Sequence, residues 1–153
     1  DVTSTWYTTN DATFEMTGVQ LEVGSQATAF EHRSFGDELT LCKRYCRVLI
    51  DTNQTTTYFA PGYMYTNTSV RSVILLDPEM RTTPTIVCTS ATNNYRFYRN
   101  GTYDNLDDFL LSSSSKRCAH LYNSTDMSGN AGHAGALYIT ASSTGFISLE
   151  AEL

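Results

Sequence analysis

The sequence predicts an all-β fold, an antiparallel β-sandwich or jelly roll with one short α-helix, and three observations predict it. Only 17% of the residues are charged while 12% are aromatic, and a chain rich in Thr, Ser, Asn and Tyr suits pleated, half-buried surfaces better than helices. Short apolar or alternating runs recur along the chain, each closed by a Gly, Pro, Asn or Asp signal, the spacing of sandwich strands. A single stretch, Ser34 to Ile50, carries helical periodicity instead.

With 153 residues the chain can bury a core without staples. Three parts are expected: strands over 1–24 that close or link to an upstream domain, a connector and helix over 25–50, and a β-sandwich binding domain over 51–153. The start at Asp1, without Met or a leader-like segment, reads as a fragment or a processed piece.

In the first part, Phe14 and Met16 alternate with polar residues, and Val19, Leu21 and Val23 take over after Gly18. A glycine at a change of phase marks a bulge or tight bend. Phe35, Leu39, Cys42, Cys46 and Leu49 then fall in alternating four- and three-residue steps, predicting a helix over about 35–49. Ser34 is placed to cap it, Asp37 sits at the capping-box position, and Glu38 favours the positive end of the dipole. Lys43, Arg44 and Arg47 lie toward the other end. The same five apolar residues read in two ways: a face packed on its own sheet, or a coiled-coil-like seam between copies of the chain.

Beyond the helix, β-type runs cover Thr56–Phe59, Tyr63–Tyr65, Val70–Leu76, Thr85–Thr89 and Tyr95–Tyr98, with turns at Asp51–Gln54, Pro61–Gly62, Asp77–Glu79 and Thr92–Asn94. Asn100-Gly101 between Phe97-Tyr98-Arg99 and Thr102-Tyr103 is a hairpin signal. Phe109 to Ser115 suits a loop or a bulged edge, and Ser124 to Gly135 a small-residue loop. Leu137–Ile139 and Gly145–Leu149 read as the last strands.

Composition narrows the partners. A net charge of -6 argues against nucleic acid and against anionic membrane, both of which reward basic patches, and no apolar run is long enough to insert as a spanning helix. The histidines, His32, His120 and His133, lie in no catalytic motif, and there is no G-x-S-x-G, P-loop or H-E-x-x-H. Asp104, Asp107 and Asp108 offer carboxylates for glycoside hydrolysis, oxygen ligands for Ca2+, or caps of a solvated turn; the turn reading is preferred, so no cofactor or metal is expected. The four cysteines, Cys42, Cys46, Cys88 and Cys118, form no CxxC and read as buried free thiols rather than zinc ligands. Glu79 and Arg81 read as a surface or interface ion pair.

Aromatic side chains are the stronger lead. Sugar rings present apolar C–H faces and hydroxyl edges, so a site for them offers flat aromatics beside Asn, Asp or Arg. Tyr95, Tyr98, Arg99, Asn100 and Tyr103 are the leading ligand-binding candidates, and Tyr63 and Tyr65 the second group. Alternating tyrosines also serve to cover a sheet face or a subunit contact, and that reading stays open.

Several stretches taken together resemble a known class. Thr17-Gly18-Val19-Gln20-Leu21-Glu22-Val23-Gly24 and Ala27 to Arg33 resemble the closing strand and exit of jelly-roll domains in bacteriophage tail-fibre and other virion proteins. The segment with Glu38-Leu39 and Cys42 to Tyr45 is similar to the helix after that exit. Met80-Arg81-Thr82-Thr83-Pro84-Thr85 resembles a strand entry of the same C-terminal region, and the ending Ile147 to Leu153 resembles its terminal strand. The resemblance implies a C-terminal, homotrimeric, carbohydrate-binding domain on the virion surface, attaching to a host-cell polysaccharide or glycan without catalysis. The tract from Tyr95 to Gly135 is not part of it. A purely structural trimerisation or capping module, and a glycan-degrading enzyme using the aspartates, are the alternatives.

Overall fold

The computed structural model describes residues 13, 15–26, 28–52, 54, 56–140 and 144–152. The chain divides after Ser34 into two compact units. In the first, the described residues carry neither helix nor strand. Polar side chains fold the segment back on itself. The Glu22 carboxylate accepts both the amide and the hydroxyl of Thr28, and Gln20 Oε1 accepts from the Glu31 amide at 2.8 Å. Those bonds from Thr28, the hydroxyl first, hold the Glu22 carboxyl below its ordinary range. Strands expected over 1–24 therefore do not form at 13 and 15–24, and residues 1–12 and 14 lie outside the described residues. Alternation supplies a face, but a strand also needs a neighbour for its backbone, and the described residues give this segment none.

The second unit opens with α1, Phe35–Cys42, shorter than the expected 35–49. Asp37 and Glu38 occupy its first turn. Its last turn tightens through bonds from Arg44 N to Leu41 O and from Tyr45 N to Cys42 O, at 3.1 and 2.9 Å. The chain then becomes β1, Cys46–Ile50. The 3-4 spacing does continue through Cys46 and Leu49, yet CRVLI also suits a strand, and tertiary pairing decides. Burial of Ile50 and the packing of Leu49 on the core outweigh two more helical turns left in solvent.

The remaining strands are β2 (Thr57–Thr66), β3 (Ser69–Leu75), β4 (Thr85–Cys88), β5 (Tyr95–Arg99), β6 (Thr102–Leu106), β7 (Leu110–Leu111), β8 (Cys118–Asn123), β9 (Ala134–Ile139) and β10 (Ile147–Glu150). They form two antiparallel sheets, one of three strands in the order β1-β10-β4 and one of seven in the order β6-β5-β9-β2-β3-β8-β7. The expected all-β sandwich with one short helix is what the chain builds. Phe97, Tyr95, Leu137, Ile139, Leu121 and Phe109 from the large sheet side are buried with Ile50 and Ile147 from the small sheet. Each such side chain contributes about 1.5–3 kcal/mol by leaving water. No helix among the described residues is long and apolar enough to cross a membrane.

Three local expectations change. The runs at Thr56–Phe59 and Tyr63–Tyr65 join into the single strand β2, which passes through Pro61-Gly62. Pro61 is tolerated because the ladder to β3 starts only at Tyr63, and its carbonyl accepts the Ser72 hydroxyl at 2.6 Å. β8 has no counterpart among the expected runs, although Ala119, Leu121 and Asn123 alternate inward there. Glu79 pairs with Arg117 at 3.0 Å rather than with Arg81, which lies over the Tyr45 ring.

The expected hairpin forms. Asn100 and Gly101 have φ of 47° and 77°, the two positive values of a type I′ turn, and they set Tyr98 directly opposite Tyr103.

Candidate functional site

The outward face of the seven-stranded sheet is built by parity. Along β5, Tyr95, Phe97 and Arg99 point into the sandwich, so Arg96 and Tyr98 point out. Registration carries that choice to the neighbours. One row runs Asn105, Arg96, Tyr138, Tyr58, a second Tyr103, Tyr98, Ala136, Pro61, and a third Ala134, Tyr63, Arg71, Tyr122, Leu110. Seven of the chain's ten tyrosines share this face, since Tyr65 joins it through Arg71, whose guanidinium carbon lies 3.5 Å from the ring centroid.

The side chains lie against one another in pairs. Arg96 lies over the Tyr103 ring at 4.2 Å, and its Nε donates to Asn105 Oδ1 at 2.9 Å. Tyr58 rests against Tyr138 with ring centroids 5.0 Å apart. Tyr58, Tyr63, Tyr65, Tyr98 and Tyr103 stay 41% to 56% exposed, while Tyr138 is buried. In the middle row the small side chains of Ala136 and Pro61 sit between Tyr138 and Tyr58 on one side and Tyr63 on the other. A shallow apolar floor edged by rings results, with hydroxyl and guanidinium groups at its margin. Rings that are already packed lose little freedom when a ligand lands on them.

Four of the expected ligand residues, Tyr98, Tyr103, Tyr63 and Tyr65, are on this face. Asn100 is in the exposed turn beside Tyr98 and Tyr103. Tyr95 and Arg99 are not available to a ligand, because they have the opposite parity. Tyr95 is fully buried, and its hydroxyl lies 2.9 Å from Phe146 O and 3.2 Å from Thr89 O. Burial first, then its neighbour Cys88, pushes the Tyr95 phenol far above its ordinary value. Arg99 is buried too, and pairs with Asp104 and with Ser128 O. Tyr58, Tyr122, Tyr138, Arg71 and Arg96 complete the face, and the signal that finds them is strand parity. Tyr138 follows Ala134 and Ala136 at steps of two, and Tyr122 follows His120 likewise.

The aspartates have separate structural partners. Asp104 holds Arg99, Asp107 Oδ1 accepts the Asn93 amide at 2.8 Å, and Asp108 Oδ2 accepts the Ser90 hydroxyl at 3.3 Å. Among the described residues no three His, Cys, Asp or Glu side chains converge as a metal cluster. The four thiols are unpaired, but only Cys88 and Cys118 are partly buried, while Cys42 and Cys46 are exposed. Burial pushes the Cys88 thiol up, a bond to Tyr95 working against it.

The five-residue seam cannot be a single helical face. Phe35, Leu39 and Cys42 lie on α1, Cys46 points outward from β1, and Leu49 packs on the core. What stays exposed in this region is Phe35 (82%), Leu39 and Leu41 on α1, then Tyr45 and Val48.

No family model matches the chain, and neither a curated protein nor a solved structure matches it.

Proposed function

We propose that this chain is a non-catalytic carbohydrate-recognising domain, and that it binds a cell-surface glycan on the tyrosine face of its large sheet. The observation that carries the reading is the row Tyr103, Tyr98, Ala136, Pro61, flanked by Arg96, Tyr138, Tyr58 and Tyr63. Apolar C–H faces of a sugar ring stack on such rings, and its hydroxyls find the tyrosine oxygens, the Arg96 guanidinium and Asn105 at the margin. Attachment to a virion appendage, a phage tail fibre or its equivalent, follows from the resemblance of the stretches on either side of the binding tract. A homotrimer is part of the same proposal. The apolar side chains left exposed on α1 and β1 give copies of the chain a surface to share, and three weak sites held together gain effective concentration.

The test is retention on an array of bacterial surface polysaccharides, with Tyr98→Ala and Tyr103→Ala as variants. Both side chains are half exposed, so the fold should persist while each loss lowers retention about tenfold, the equivalent of 1.4 kcal/mol. Unchanged retention in both folded variants would move the site elsewhere. Exposed Phe35 and Leu39 favour one second reading, a purely structural trimerisation module. A stable trimer that holds no glycan across the array would select it.

A further inference from the structure

The tyrosine face carries two cations and no anion. Among the described residues, no Asp or Glu occupies an outward position on β2, β3, β5, β6, β7, β8 or β9, in a chain whose net charge is -6. Arg96 and Arg71 are both partly buried there, and each is held by an aromatic ring instead of a carboxylate. Arg99, at the inward position beside them, shows the contrast, because it has Asp104 as its counter-ion. Arg71 Nε is buried without a hydrogen-bond partner, but so is Arg99 Nε, and what sets Arg71 apart is that its guanidinium has no carboxylate beside it among the described residues. A guanidinium stacked on a ring can still offer in-plane donors; on Arg96 the Nε is spent on Asn105 Oδ1, which leaves its terminal NH2 groups to meet a carboxylate.

We infer that the glycan is an acidic polysaccharide, one whose sugar rings bear carboxylates, and that Arg96 and Arg71 receive those carboxylates at two ends of the tyrosine field. This rests on the glycan reading above. The two arginines stand on β5 and β3, separated by β9 and β2, and their rows lie four residues apart along β9, at Tyr138 and Ala134, so three strand spacings across the sheet and four residues along it put them about 20 Å apart. One sugar residue does not bridge that distance. A chain of several residues does, laying its apolar ring faces over Ala136, Pro61 and the tyrosines between. Pairing of this kind is electrostatic at the margin and apolar at the centre, so added salt weakens it without abolishing it.

The experiment uses the unaltered chain on immobilised polygalacturonate and on the same polymer after its carboxyl groups have been reduced to alcohols. Ring faces and chain length are shared, and only the anion is lost. Retention is expected on the acid form, at least tenfold weaker on the reduced form, and weakened about threefold or more between 50 mM and 500 mM salt. Arg96→Met and Arg71→Met, which keep apolar bulk, should each erase most of the difference between the two polymers, and Arg96→Lys should restore part of it. Equal retention on both polymers overturns the acidic assignment and leaves the glycan reading standing. Retention on neither overturns the acidic assignment. If neutral polysaccharides on the array are also not held, the glycan reading falls with it.

Discussion

The Tyr95 hydroxyl lies 2.9 Å from the carbonyl oxygen of Phe146 and 3.2 Å from its amide nitrogen, which ties β5 in the large sheet to the lead-in of β10 in the small one. Removing that oxygen leaves buried backbone groups short of a partner, at a cost of about 1–3 kcal/mol. Tyr95→Phe should therefore lower the urea midpoint clearly and leave glycan retention intact. Tyr98→Ala should do the reverse. Differential unfolding and retention of the two variants side by side check this; loss of retention in a folded Tyr95→Phe would contradict the parity argument.

Gly62 and Gly135 face each other across β2 and β9, beneath the Phe97 ring. A Cβ at Gly135 would stand 2.8 Å from Phe97 Cζ and closer still to the Tyr98 carbonyl oxygen. Backbone cannot step aside inside a seven-stranded sheet. Gly135→Ala should cost about 3 kcal/mol, read as a fall in thermal midpoint or as loss of soluble protein. Gly101→Ala, which meets no neighbouring atom but has φ of 77°, should cost only about 1 kcal/mol.

Asp126 ties the loop after β8 to the segment after β6. Partial burial raises its carboxyl, but bonds from the Asp107 amide, Asn123 and Thr125 outweigh it and hold the group below its ordinary value. A folded pKa lower than the unfolded one stabilises the protein above the unfolded value, about 3.9, and that contribution disappears as pH falls through the folded one. Asp126→Asn should destabilise the chain at pH 7 by about 1–3 kcal/mol and flatten the acid limb below about pH 4. Urea unfolding at pH 7, 5 and 3 checks both parts.

Light scattering behind a sizing column reads the assembly. The unaltered chain is expected as a trimer whose mass does not change with salt, because the contact is assigned to the large apolar side chains that α1 exposes, Phe35, Leu39 and Leu41. Phe35→Asp combined with Leu39→Asp should yield a monomer with its β-sheet circular dichroism intact, since neither residue is buried within the chain. A monomer without any substitution would remove self-association from the proposal.

The legibility of this chain follows one physical line. Strand type, the Asn100-Gly101 hairpin and the turn-divided spacing are readable because they depend on local propensity and on backbone conformations that few residues adopt. Half of the tyrosine face is readable for a related reason: tyrosines flanking a hairpin are visible as neighbours in sequence. The end of α1 is not, since Cys46 to Ile50 satisfies both periods, and only the presence of β10 as a pairing partner settles it. Pro61-Gly62 reads locally as a turn, yet β9 on one side and the Ser72 hydroxyl on the other carry the strand straight through.

Composition and local pattern, then, were enough for a β-sandwich with one helix and for a tyrosine-centred surface. Which tyrosines face outward, and which arginines have a counter-ion, was decided by tertiary structure alone. A side chain's face depends on the register of its strand against neighbours far away in the chain. Tyr95 and Tyr98 differ by an odd step, and that parity buries one and presents the other.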